Sequence, residues 1–130
     1  MGQFDFIIKS KFDKDAEILH FGTRKVKGTL SVFRYIDKDT KQYVTYIPSL
    51  DISGYGETTD KAEETLSFSL SEFFDYIISL PIKRREAELL QLGWKKNRIR
   101  NKDFSKTKVE TDLSQFNAEA NSIEQLSLVA

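Results

Sequence analysis

The feature that most constrains this chain is a change of hydrophobic period near residue 57. Before it, apolar residues come in short, loosely alternating runs rich in β-branched and aromatic side chains. These are Phe4–Lys9, Glu17–Phe21, Val26–Ile36 and Tyr43–Ile47, and each reads as a strand. After it, Ala62, Leu66, Leu70, Phe73, Phe74, Ile77 and Ile78 recur at steps of three and four, which predicts an amphipathic helix of about six turns. Thr58 is a good N-cap, because its hydroxyl can accept a first-turn N–H. Asp60 suits the positive helix end. Lys61 occupies the third helical position, so the reciprocal half of a capping box is missing.

The remaining punctuation follows. Asp37–Lys41 reads as a hairpin loop. Pro48 ends the fourth strand, because it has no N–H to donate to a ladder. Leu50–Ser53 reads as a short extended run, and Gly54-Tyr55-Gly56 as a tight turn. Pro81 pre-sets φ for the start of a second helix, and Gly93 is a natural left-handed residue at its end. Trp94 follows, placed to pack back on Leu89. Residues 97–108 have few apolar side chains and read as loop. Leu113, Phe116 and Ala120 suit one side of a short helix, and Gln125–Val129 suits a strand. Strands followed by helices predict an α+β fold. The expected form is a small antiparallel sheet of three to five strands, with one long helix packed on a face and a second, shorter helix. Residues 1–96 are expected to form one domain with an N-terminal strand extension. Residues 97–130 are expected to be a basic loop and a C-terminal docking segment.

Composition narrows function by exclusion. In 130 residues there is no Cys and one His, so thiolate chemistry, Cys-based metal sites and multi-His sites within one chain are absent. No cofactor or metal is expected. His20 lies between Leu19 and Phe21 with no identifiable nucleophile, and reads as a structural or surface residue. Met1-Gly2-Gln3 opens no basic, apolar leader, and no run reaches the length of a membrane span. A soluble cytoplasmic protein without membrane association is expected.

Charge is balanced, with 20 basic and 20 acidic residues, but it is distributed unevenly. Residues 25–80 carry 6 basic and 9 acidic groups, residues 81–109 carry 10 and 3, and residues 110–130 carry four acids and no base. The basic block contains Lys95, Lys96, Arg98, Arg100 and Lys102, a candidate nucleic-acid-binding strip that continues to Lys108. Tyr43, Tyr46 and Tyr55 are candidate protein-binding residues, since aromatics with a polar tip serve as interface anchors. A small sheet with one face covered also leaves edges that self-association or a partner strand can cover. A homo-oligomer is therefore expected.

The run Gln42-Tyr43-Val44-Thr45-Tyr46-Ile47-Pro48-Ser49-Leu50-Asp51-Ile52-Ser53-Gly54-Tyr55-Gly56-Glu57-Thr58-Thr59-Asp60-Lys61-Ala62 resembles the HicB-like antitoxin family. The Leu89-Leu90-Gln91-Leu92-Gly93-Trp94-Lys95 segment is similar to the ending of a subgroup, and the resemblance spans about residues 26–96. It implies a β-β-β-α core related to ribonuclease H but without that enzyme's catalytic carboxylates. It also implies a non-enzymatic module that neutralises a small basic RNase toxin. Residues 97–130 show no helix-turn-helix pattern of the kind many relatives carry. Two other readings stand beside it. One is an orphan HicB-like oligomer or a nucleic-acid-binding regulator using residues 95–108. The other is a ribonuclease H-like enzyme, for which nothing in the sequence brings Asp51, Glu57 and Asp75 together.

Overall fold

The computed structural model describes residues 4–100, 102–107 and 110–130. The readings at Met1, Gly2, Gln3 and Lys108 lie outside them. The fold is one antiparallel sheet with two helices on one side. In chain order the elements are β1 (Ile7–Lys9), β2 (Ala16–Gly22), β3 (Lys25–Ile36), β4 (Tyr43–Ile47), β5 (Ile52–Gly56), α1 (Thr59–Ser79), α2 (Ile82–Gln91), β6 (Lys95–Lys96), β7 (Asp103–Thr107) and β8 (Glu124–Val129), with a single 3₁₀ turn at Leu113–Gln115 before β8.

The expected sheet of three to five strands is therefore corrected: the sheet has eight. The main path is β1-β8-β3-β2-β7-β6, and β4 and β5 branch from β3. The extra strands escape a pattern reading for a physical reason. β6 has two residues, both Lys. β7, inside the stretch read as loop, reads Asp-Phe-Ser-Lys-Thr and buries only Phe104. Their backbone is held by distant partners, β7 lying against β2. Tertiary pairing here overrides a weak local preference.

β3 organises the sheet. Along one edge its first half pairs with β2, Ile18 opposite Thr29, and its last residues pair with β4, Phe33 opposite Tyr46. Along the other edge β8 pairs continuously, from Thr29–Val129 to Arg34–Glu124. Where β2 and β4 part, the Ser31 N–H has no ladder partner on that edge. The Glu17 carboxylate accepts it at 3.0 Å and accepts the Ser49 hydroxyl at 2.6 Å. A buried backbone donor left unpaired is costly, so this acid closes the fork. Burial pushes the Glu17 carboxyl above its ordinary range, opposed by the Ser49 and Ser31 hydrogen bonds and by Lys106.

One sheet face packs on α1. Leu19, Phe21, Leu30, Val32, Leu126 and Leu128 meet Leu66, Leu70, Phe74 and Ile77, with Leu89 and Trp94 closing one end. The Trp94 indole donates to the Ser49 carbonyl at 3.0 Å. α1 begins at its predicted cap, with the Lys61 N–H donating to Thr58 Oγ1 at 3.1 Å. α2 ends at Gly93, whose φ of +93° suits a residue without Cβ.

The Gly54-Tyr55-Gly56 turn is also corrected: these residues form the end of β5. The glycines serve close packing instead. A Cβ on Gly54 would lie 2.5 Å from the Ala62 carbonyl oxygen and the Leu66 nitrogen. α1 therefore rests directly on the β5 backbone. The expected helix at Leu113–Ala120 contracts to the 3₁₀ turn, held by the Asp112 carboxylate, which accepts the Ser114 N–H.

Candidate functional site

Strand alternation sorts the candidate side chains onto two faces. Tyr46 and Tyr55 share the face away from α1, whereas Tyr43, an odd number of residues from Tyr46, falls on the α1 side opposite Gly56. The three tyrosines therefore do not form one cluster. Tyr46 and Tyr55 instead line a concavity of about 280 Å³ with Tyr35, Val44, Ser53 and Phe116. Phe116 stacks on Tyr35 at 5.0 Å and meets Tyr46 edge-on at 5.8 Å. The Tyr46 hydroxyl donates to Asp51 at 3.0 Å. Burial, aided by the Asp51 carboxylate, raises the Tyr46 phenol above its ordinary range. Burial does the same to Tyr35, helped by Tyr55 and Asp37. Sequence reasoning missed Tyr35 and Phe116 here, because the segment carrying Phe116 arrives from far along the chain and no local pattern links it to β4.

The basic block is dispersed in the same way. Lys95 projects from the open sheet face. Lys96 projects to the helix side and pairs with Glu86 at 3.2 Å. Arg98, Arg100 and Lys102 belong to the β6–β7 connection and are exposed. The Asn97 side chain accepts the Ile99 and Arg100 N–H groups at 2.9 and 3.0 Å, shaping that turn. Lys106 turns inward and donates to the Leu92 carbonyl at 2.7 Å. Lys102 and Lys96 flank a depression of about 350 Å³ floored by Phe21 and Phe104. Arg85 beside it is already engaged, donating to the Ile77 and Ile78 carbonyls at the α1 C-terminus.

Two surfaces stand out from the rest. The first is the outward side of α1. Asp60, Glu64, Glu72 and Asp75 are exposed there, and Phe68 and Tyr76 remain 52% and 48% accessible among them. Its one cation, Lys61, is paired with Glu64. Glu63, one position aside, pairs with Arg34, and burial raises its carboxyl above the usual range despite that cation.

The second is the opposite face of the sheet over β1, β8, β3, β2, β7 and β6. A row runs straight across it in register: Lys95, Ser105, Ile18, Thr29, Val129 and Ile7. Ile18 and Ile7 are 51% and 65% exposed. His20 sits one row up, its Nδ1 against the Asp103 carboxylate.

The most enclosed titratable group, Glu17, opens on a cavity of about 230 Å³ lined also by Ser31, Ser49, Lys106 and Gln125. Its Oε2 is committed to the strand fork described above. Among the described residues no three His, Cys, Asp or Glu side chains gather as metal ligands. Asp51 is held by Tyr46, Glu57 lies just before α1, and Asp75 lies in its fifth turn. Among the described residues no helix is long and apolar enough to cross a membrane. No protein-family model, no curated protein and no solved structure matches this chain.

Proposed function

We propose that this chain is a non-enzymatic protein-binding module of the kind the HicB-like resemblance implies, one that sequesters a small basic RNase toxin. The observation that carries the reading is the outward side of α1, where accessible Phe68 and Tyr76 sit among Asp60, Glu64, Glu72 and Asp75. Exposed aromatics supply desolvated anchors, and carboxylates around them steer and orient a cationic partner. The helix is firmly seated on β5, so this face is presented without reorganisation. Tyr46 and Tyr55 look the other way and are not part of this contact.

The test is co-expression with the product of a short basic reading frame adjacent to this one. A stoichiometric complex, with growth restored by this chain, is the expected result. Within that complex, Phe68→Ala with Glu72→Lys lowers the affinity by about 100-fold. Failure to form a complex, with growth still arrested, rejects the reading.

A further inference from the structure

The open face of the sheet carries a charge the fold does not use. Its exposed strand residues include Lys9 on β1, Lys25 and Lys27 on β3 and Lys95 on β6. Among the described strand residues of this face the one carboxylate is Asp103, which is tied to His20 and approached by Arg100 at 3.9 Å. The four lysines have no ion pair among the described residues. An antiparallel sheet commonly leaves one face to solvent, but a merely solvated face has no need to exclude one sign of charge. This chain has equal numbers of acids and bases, yet Asp60, Glu64 and Glu72 lie on the outward side of α1, and Asp75 and Asp5 meet Lys25 and Lys27 only across a concavity at the edge of the sheet.

The lysines are also placed on a broad platform. With strands about 4.8 Å apart, the six strands from β6 to β1 span about 24 Å. Duplex nucleic acid carries one charge per about 1.7 Å of axis with both strands counted, so that width spans about 14 phosphates, of which those on one side of the duplex face the sheet. No exposed Phe, Tyr or Trp belongs to this part of the face among the described residues. A base-stacking platform of the single-strand type is therefore not what it offers. Small hydroxyl-bearing and amine-bearing side chains, Ser105, Thr29 and the lysines, suit phosphate and sugar, which position a nucleic acid without reading its sequence.

We propose that the open face of the sheet, through Lys9, Lys25, Lys27 and Lys95, binds the phosphodiester backbone of double-stranded nucleic acid without sequence preference. This is independent of the protein-binding reading, because the two surfaces lie on opposite sides of the sheet. The exposed β6–β7 connection, with Arg98 and Lys102, extends the same field at the sheet's edge.

The experiment is fluorescence anisotropy of the full chain against fluorescein-labelled 20-base-pair DNA, 20-base-pair RNA and a 20-nucleotide single strand. It is run from 25 to 200 mM salt, with anionic lipid vesicles as a separate arm. Duplex binding that weakens steeply with salt is expected. The slope of log affinity against log salt falls by about 0.9 for each lysine contact removed. The triple variant Lys25→Glu, Lys27→Glu, Lys95→Glu binds at least tenfold more weakly at 50 mM salt. The Gln counterparts bind at an intermediate level, and Lys61→Glu on α1 stays within twofold of the parent. All these side chains are exposed, and circular dichroism verifies that each variant is folded. Any of four results overturns the proposal: no duplex binding at 25 mM salt, tighter binding of the single strand than of either duplex, a triple variant within twofold of the parent, or binding to vesicles but not to oligonucleotides. The DNA and RNA arms distinguish the source of the backbone.

Discussion

The two faces of the sheet are built from neighbouring residues of the same strands, yet they differ in almost every physical respect. On the α1 side, Leu19, Leu30, Val32 and Leu128 are at most 1% exposed and interlock with Leu66, Leu70 and Ile77. On the other side the same sheet displays Ile18, Thr29, Lys27 and Lys95. The largest apolar cluster lies on the α1 face, and its burial supplies much of the stabilisation. The other face buries Phe33 and Val44 toward β4, where Phe116 packs, and is exposed at Ile18, Lys25, Lys27 and Lys95. The acidic residues of α1 and the lysines of the open face turn a chain without net charge into a two-sided plate. The comparison teaches that overall charge balance says little about surface potential when strand alternation decides where each charge points.

That contrast can be broken from the covered side first. Gly54→Val places a branched side chain against the Ala62 and Leu66 backbone and forces α1 off β5, costing about 3 kcal/mol. The midpoint of urea denaturation reads the loss. Glu17→Gln tests the fork. The raised carboxyl means that the folded state holds its proton more tightly than the unfolded chain does. That contribution is complete below the unfolded pKa and is lost as pH rises through the folded one. The parent therefore loses stability relative to the Glu17→Gln variant, whose amide does not titrate, as pH rises from the ordinary carboxyl range to neutrality. Thermal melts across that window are expected to diverge with rising pH, and parallel curves would refute the assignment. Thr58→Ala removes the α1 cap and costs about 1 kcal/mol, measured by the same denaturation. On the open side Ile18→Thr changes stability by less than about 0.5 kcal/mol, although Ile18 lies on an interior strand. A loss near that of Gly54→Val would mean that the open face is covered after all.

Parts of this arrangement were legible in the residues alone. The extent of α1, its Thr58 cap and the Gly93 terminus follow from periodicity and local hydrogen bonding, and the structure has them in place. β4 and its stop at Pro48 follow in the same way. What escaped was non-local. β7 looks like loop because its polar residues alternate around one buried Phe104, and only β2 gives that alternation a partner. Gly54 and Gly56 look like a turn because glycine's usual role is conformational. Here its value is the missing Cβ under a helix, which no local pattern reveals. For the candidate site, alternation by itself separates Tyr43 from Tyr46, and Lys95 from Lys96. Which face is covered depends on α1. The lysines at 9, 25, 27 and 95 are scattered through the chain, and only the register of six strands brings them together.

The position of β8 carries a consequence for how such a molecule comes into being. Residues 124–129 sit between β1 and β3, so the segment is an interior plank and β1 has no strand to pair with until it is in place. A chain cut short before residue 124 loses contact on both sides of the gap, stranding the N-terminal strand as well. On the ribosome, β1 emerges long before β8, the strand it pairs with. Pairings of such long sequence separation form slowly, and the half-assembled sheet meanwhile bares the β3 edge that β8 will occupy, an interval in which a second nascent copy or a chaperone has its best opportunity to bind.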